Sequence, residues 1–194
     1  VILPLAPGLV DALREGIEVL DVGCGSGRAL VLMARHFPNS RFTGYDLSAR
    51  GIAAGRSEAE CEGLDNVTFE VRDVAGLDGG GSFGLITAFD AIHDQKAPAR
   101  VLDGIARSLV PGGTFLMQDI AGSSEVHRNF DHPMGPLLYT VSCMHCMTVS
   151  LAEGGAGLGA MWGEETALKM LRSAGFTSVQ VQQLPHDVQN SYYI

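Results

Sequence analysis

From Ile17 onward, short apolar or β-branched runs alternate with longer segments of helical period, and the fold that accepts this alternation is a parallel sheet covered by helices on both faces. The runs fall at residues 18–22, 41–45, 67–72, 83–89, 114–118, 178–184 and 191–194. Between them, a helical segment at 28–37 stops at Pro38, and Ser48 caps a second whose end Gly63 marks. Asp94 is placed to cap a third over 99–109, where Val101, Leu102, Ile105, Ala106 and Leu109 form an apolar stripe before Pro111-Gly112-Gly113. A last helix at 164–174 carries acidic residues in its first turn and stops at Gly175. The pattern predicts an α/β, doubly wound, mostly parallel sheet of seven strands within one domain over residues 1–194.

Directly after the first run, glycine alternates with small residues in Asp21-Val22-Gly23-Cys24-Gly25-Ser26-Gly27. Such a backbone can turn tightly and lie against a ligand before a helix begins, although the same turn also serves as a plain strand-to-helix connection. The dinucleotide fingerprint wants a small residue three positions after its second glycine, and Arg28 stands there. Asp46 ends the second run, where a carboxylate can accept from both hydroxyls of a ribose. Asp73 ends the third, within reach of an adenine amino group, with the Val74 amide beside the ring. Either carboxylate can equally cap a turn. Counting Asp21, three strand-end carboxylates lie along one crevice.

In this order, Val19 to Gly27, then Gly44-Tyr45-Asp46-Leu47-Ser48, then Leu109-Val110-Pro111-Gly112-Gly113 resemble the motifs of class I S-adenosylmethionine (AdoMet)-dependent methyltransferases, over the chain from about Leu9 to its end. The resemblance implies a Rossmann-like sheet whose last strand, here at 191–194 and short, runs antiparallel to the others. It implies AdoMet as cofactor and S-adenosylhomocysteine as product. The turn (Asp21, Gly23, Cys24, Gly25, Gly27) would hold the methionine part, Asp46 the ribose, and Asp73 with Val74 the adenine, with Leu47 also a cofactor contact. Phe89 and Asp90 would line the approach to the sulfonium.

Methyl transfer from a sulfonium is an in-line displacement, so a hydroxyl acceptor must also lose its proton. His93 follows the fourth run in Phe89-Asp90-Ala91-Ile92-His93-Asp94-Gln95, and imidazole accepts a proton near neutral pH. The segment resembles the His-Asp-Trp motif of small-molecule O-methyltransferases, whose histidine is the general base. Gln95 replaces the tryptophan, so His93 is read either as that base, oriented by some carboxylate, or as a residue that packs beside the cofactor.

The stretch at 120–163 is longer than a connection requires and holds three histidines, four methionines and glycines at 154–159. Residues 139–151 within it read as an apolar helix or lid wall over a lipophilic acceptor, or as plain core. Trp162 either closes that pocket or anchors the last helix. Cys143-Met144-His145-Cys146 lacks a two-residue gap between ligand pairs, so no metal is expected.

A formal net charge of -9 opposes nucleic-acid binding, and no apolar stretch approaches the roughly 20 residues that span a bilayer. The expected partner is a small-molecule acceptor. Four irregularly spaced cysteines point to reduced thiols and the cytoplasm. Opening on Val1, the chain is expected to lack a preceding segment that supplies a lid or a homodimer interface. Two rivals remain. A NAD-dependent short-chain oxidoreductase needs a tyrosine four residues before a lysine, and none of Tyr45, Tyr139, Tyr192 and Tyr193 stands so before Lys96 or Lys169. A catalytically silent AdoMet-binding regulatory module would carry the same turn.

Overall fold

The structure, a computed structural model, describes every residue from Val1 to Ile194. One seven-stranded sheet runs through it in the order β3-β2-β1-β4-β5-β7-β6. Its strands are β1 (Glu18–Val22), β2 (Arg41–Asp46), β3 (Val67–Val71), β4 (Phe83–Phe89), β5 (Leu109–Ile120), β6 (Val181–Leu184) and β7 (Asp187–Tyr193). β1 to β5 pair in parallel, and β7 lies antiparallel between β5 and β6. The strand order reverses between β1 and β4, the switch point at which open α/β sheets form a ligand crevice beyond the carboxyl ends of their strands.

Alternation along the strands divides the core. Val19, Leu85 and Leu116 face one side, with Phe42 and Phe69, against α1 (Leu9–Glu15), α2 (Arg28–His36) and α3 (Ala49–Cys61). Leu20, Ile86 and Met117 face the other, against α4 (Pro98–Ser108) and a late helix at Glu164–Ser173. Period-two burial on β1, β4 and β5 therefore puts a helical layer on each face.

Several details depart from expectation, among them the start of β5 at Leu109 rather than 114 and of β6 at Val181 rather than 178. The helix α1 precedes the first strand. Ala97 rather than Asp94 caps α4, with Pro98 supplying the preset first-turn φ, and Asp94 is free to turn toward a neighbouring histidine. The closing strand is not short: β7 has seven residues, because β6 and β7 form a hairpin over Pro185 and His186. In the 120–163 stretch the helical run begins before residue 139, with α5 (Gly135–Val141), a π-helical turn (Ser142–Cys146) and α6 (Met147–Ala152) following one another without a break. The helix at Glu164–Ser173 is accordingly α7. Trp162 is buried in the cluster that holds α4 and α7, which is the anchoring arrangement.

Candidate active site

The glycine turn sits where β1 gives way to α2. Gly23 and Cys24 both donate their amides to the Tyr45 carbonyl, at 2.9 and 3.1 Å, which staples the turn to β2. Its three glycines share a left-handed φ but answer to different constraints. A Cβ on Gly23 would lie 2.6 Å from the Ala91 Cβ, and one on Gly27 would lie 2.1 Å from the Phe69 ring. At Gly25 nothing lies within 4 Å. Packing requires two of the glycines, whereas the third faces open space above the strand ends.

Asp46 secures the turn from the next strand. One carboxylate oxygen accepts from the Gly25 amide at 2.8 Å and the other from the Ser48 amide at 2.7 Å. The capping role is shown, and each oxygen keeps a further lone pair with which it can accept from a ligand. Asp73 is exposed and caps a short turn by accepting from the Ala75 amide at 2.8 Å, while the Val74 side chain is buried.

Asp21 lies beneath the turn, 2 % exposed, and accepts from the Thr87 hydroxyl at 2.6 Å. Burial outweighs that hydrogen bond and pushes its carboxyl up to about 7. The same burial, with Asp21 and Asp46 nearby, raises the Cys24 thiol to about 12, which leaves it an inert wall of the turn.

A cavity of about 310 Å³ continues the crevice past β2 and β3. Leu47 and Asp73 bound it on one side, Asp94, Lys96 and Arg100 on another, and Val149 of α6 closes it. Leu47 presents an apolar side chain that is 64 % exposed, a surface suited to a flat ring. The inserted helix is held there by Ser150, whose hydroxyl donates to the Gln95 carbonyl, and by the Ala156 amide, which donates to the Lys96 carbonyl at 3.0 Å. A second cavity, of about 260 Å³ between Pro7, Phe115, Phe176 and Ile194, opens at the far end of the sheet and has no part in this crevice.

At the ends of β4 and β5 the polar side chains converge. Asp90 is the one non-glycine residue with positive φ, at 50°, a conformation that costs on the order of 1 kcal/mol and turns the chain out of β4. Phe89 is half-buried beside it. Three residues after Asp90, His93 is 3 % exposed, and its Nδ1 lies 2.7 Å from a carboxylate oxygen of the fully buried Asp119. That oxygen also accepts from the Ile120 amide at 2.8 Å. Burial opposes the charged imidazole, but the hydrogen bond to Asp119 and the charges of Asp119, Asp94 and Asp90 prevail and raise the His93 pKa. Asp119 is thus the orienting carboxylate that the sequence left unnamed. Gln95, in the tryptophan position, donates to the Ala91 carbonyl at 2.9 Å and folds the loop over Gly23.

The Cys-Met-His-Cys run does not gather into one site. Cys143 and His145 point to solvent, and Cys146 alone turns inward to cover His93 and Asp94. Sequence reasoning missed Asp119 and the Lys96–Arg100 edge, and set Cys146 aside with the rest of its run. Only the position of Asp119 near a strand end hinted at its role.

Comparison with known proteins bears on this geometry. The family described as a methyltransferase domain matches residues 13–184. The fatty-acid O-methyltransferase of Mycolicibacterium smegmatis is 34% identical over 105 residues, which cover 54% of this chain and 38% of that one. The trans-aconitate 2-methyltransferase of Deinococcus radiodurans is 32% identical over 125 residues, 64% of this chain and 43% of its own. The chain therefore spans less than half the length of these curated relatives. Among solved structures, an O-methyltransferase family protein from Burkholderia thailandensis aligns with a TM-score of 0.69 at 20% identity, over 99% of this chain and 56% of that one.

Proposed function

The chain belongs to the methyltransferase domain family, and from that membership we propose that it binds AdoMet across the glycine turn and methylates an oxygen of a small-molecule acceptor, with His93 as general base. The observation that carries the reading is the His93–Asp119 pair, a buried, oriented imidazole at the carboxyl end of β4, next to the turn. When bound, AdoMet supplies an electrophilic methyl group on a positively charged sulfur.

The residues present fit that cofactor. The open face at Gly25 leaves room for a ligand against the backbone, and the apolar Leu47 beside Asp73 suits adenine. Asp21, a buried carboxyl without a cation, suits an ammonium group. Asp119 fixes the ring of His93 through Nδ1, so that Nε2 is the atom left to take an acceptor proton. Burial of the pair excludes water and strengthens each of these interactions. The relatives' names support an oxygen acceptor, and two of them name carboxylic acids. A carboxylic acid is already ionised at neutral pH and needs no base, whereas a hydroxyl does.

That difference makes the test decisive. Candidate hydroxyl and carboxyl acceptors are screened for S-adenosylhomocysteine production by the wild type and by His93→Ala, after calorimetry has compared AdoMet with NAD. Retained AdoMet affinity with turnover lost on a hydroxyl acceptor supports the base. Near-normal turnover of His93→Ala on such an acceptor sinks it, and binding of NAD but not AdoMet sinks the whole reading.

A second reading, a catalytically silent AdoMet-binding module, is favoured by one feature. His93 is covered by Cys146 of the inserted segment, so an acceptor reaches Nε2 only if that segment moves. AdoMet binding without product from any acceptor would favour the silent module.

A further inference from the structure

Around Nε2 of His93 lie two other potential ligands that methyl transfer does not use. Asp94 places Oδ1 3.4 Å from Nε2, and Cys146 brings its thiol from the π-helical turn, with all three ligand atoms within 4.8 Å of one another. The Asp94 Oδ1 is buried and makes no well-formed hydrogen bond, its neighbours being His93 Nε2 and the Cys146 thiol.

We propose that His93 Nε2, Asp94 Oδ1 and Cys146 Sγ form a zinc site whose occupation silences His93. One nitrogen, one oxygen and one sulfur make a donor set that zinc accepts and that magnesium or calcium does not. Zinc–nitrogen and zinc–oxygen bonds of about 2.0–2.1 Å at a tetrahedral angle separate their donors by roughly 3.3 Å. The observed 3.4 Å therefore needs almost no adjustment. The remaining closure falls to Cys146, on a π-helical turn of the kind that often marks functional sites.

The surroundings complete the arrangement. A histidine that binds zinc through one ring nitrogen usually donates the other N–H to a carboxylate, and Asp119 stands at Nδ1, itself held by the Ile120 amide. Three protein ligands leave a fourth position for water. On binding, the Cys146 thiol proton and any proton on Nε2 pass to solvent, and the ion takes the lone pair that would accept the acceptor's proton. Cys146 is then tied to Asp94, which locks the insertion over His93. The silencing rests on the proposed role of His93 as base, whereas the binding does not.

The experiment uses untagged, chelator-stripped protein titrated with zinc chloride against a chromophoric chelator, with cobalt(II) as a spectroscopic substitute. The expected result is one ion per chain, a thiolate-to-cobalt charge-transfer band, and affinity reduced about 100-fold or more in Cys146→Ala. Cys143→Ala, altered at an exposed thiol of the same run, retains full affinity. Asp119→Asn loses about 10- to 100-fold, the range for an outer-shell partner. Absence of stoichiometric binding, or equal affinity in wild type and Cys146→Ala, overturns the site. For silencing, zinc abolishes turnover of the wild type and spares Cys146→Ala. Turnover retained by zinc-loaded wild type overturns it. Since binding is read without an acceptor, failure of the methyl-transfer reading is distinguishable from failure of this one.

Discussion

Replacing Asp21 by asparagine keeps the shape under the glycine turn and removes only the charge, so it isolates what that carboxylate does to the protein. Its carboxyl titrates at about 7 in the folded chain, against 3.8 for an aspartate free in water, the value taken for the unfolded chain. Below pH 3.8 both states hold the proton and the group has no effect on folding. Between pH 3.8 and about 7 the unfolded chain ionises while the folded chain keeps its proton, and stability falls by about 1.4 kcal/mol per pH unit. Above that the loss levels off at about 4 kcal/mol. Asp21→Asn escapes it, and the Thr87 hydroxyl can still donate to the amide oxygen. The variant should match the wild type near pH 4 and exceed it at pH 8 by up to about 4 kcal/mol. For a chain of this length that corresponds to a rise in Tm of about 8 to 16 °C. His93, with its raised pKa, also contributes stability that is full below 6.5 and lost as pH rises through its folded value. That contribution is common to both proteins and cancels in the difference. Urea unfolding at pH 4, 6 and 8 measures the quantity directly. Parallel pH profiles for wild type and Asp21→Asn would refute the reasoning. Calorimetry on the same variant should find AdoMet binding weakened, because the ammonium group then meets a neutral side chain.

The glycines of the turn should separate by phenotype: Gly27→Ala drives a Cβ into the Phe69 ring and costs roughly 2–4 kcal/mol in thermal unfolding, whereas Gly25→Ala costs about 1–2 kcal/mol and chiefly loses AdoMet affinity. Asp119→Asn removes the main support of the His93 imidazolium, so the imidazole titration followed by NMR should move to lower pH than in the wild type, whose value lies above 6.5. No shift would mean that Asp119 does not set it. AdoMet should slow hydrogen exchange at the amides of α6, because Val149 and Ser150 line the cavity beside Leu47 and Asp73. Unchanged exchange there would detach the insertion from the cofactor site. Trp162→Ala should cost about 3–5 kcal/mol in urea unfolding, as befits an anchor of the α4–α7 layer, and a neutral result would return Trp162 to the pocket.

The sheet was legible because its signals are local. β1 and β4 match their apolar runs residue for residue, each bounded by chemistry that ends a strand, and α2 stops one residue before the predicted end. The glycine turn and Asp46 could be read for the same reason, since a strand end and a left-handed backbone leave marks in adjacent residues. What was not legible depends on side chains meeting from distant segments. Asp119 and His93 are 26 residues apart and are joined only because β4 and β5 are neighbours in the sheet. Asp94 looked like a helix cap because its own neighbourhood allows one, yet Pro98 starts α4 without it. Nothing in the spacing of Cys143-Met144-His145-Cys146 predicts that a π-helical turn will send one cysteine inward and leave its neighbours in solvent.

Asp21 and His93 sit at the ends of neighbouring strands, and each holds the fold in a state that packing alone would not select. Burying a carboxylate under the turn costs stability at neutral pH, and an asparagine or leucine there would avoid that cost. Around His93, Asp119 Oδ2 and Asp94 Oδ1 are buried without partners. A chain selected for stability alone would satisfy or remove these groups. On the proposed reading, both deficits would be made good by a positive charge, at Asp21 by an ammonium group and beside His93 by a metal ion. On that reading, the unpaired carboxylates at Asp21, Asp94 and Asp119 are what weaken the empty fold, and a bound cation would make the occupied one favourable. The inserted helix links the two ends of the crevice, since α6 lines the cavity beside Leu47 while Cys146, one residue before it, covers His93. On the proposed reading, movement of that one element would control both access to His93 and closure over the cofactor.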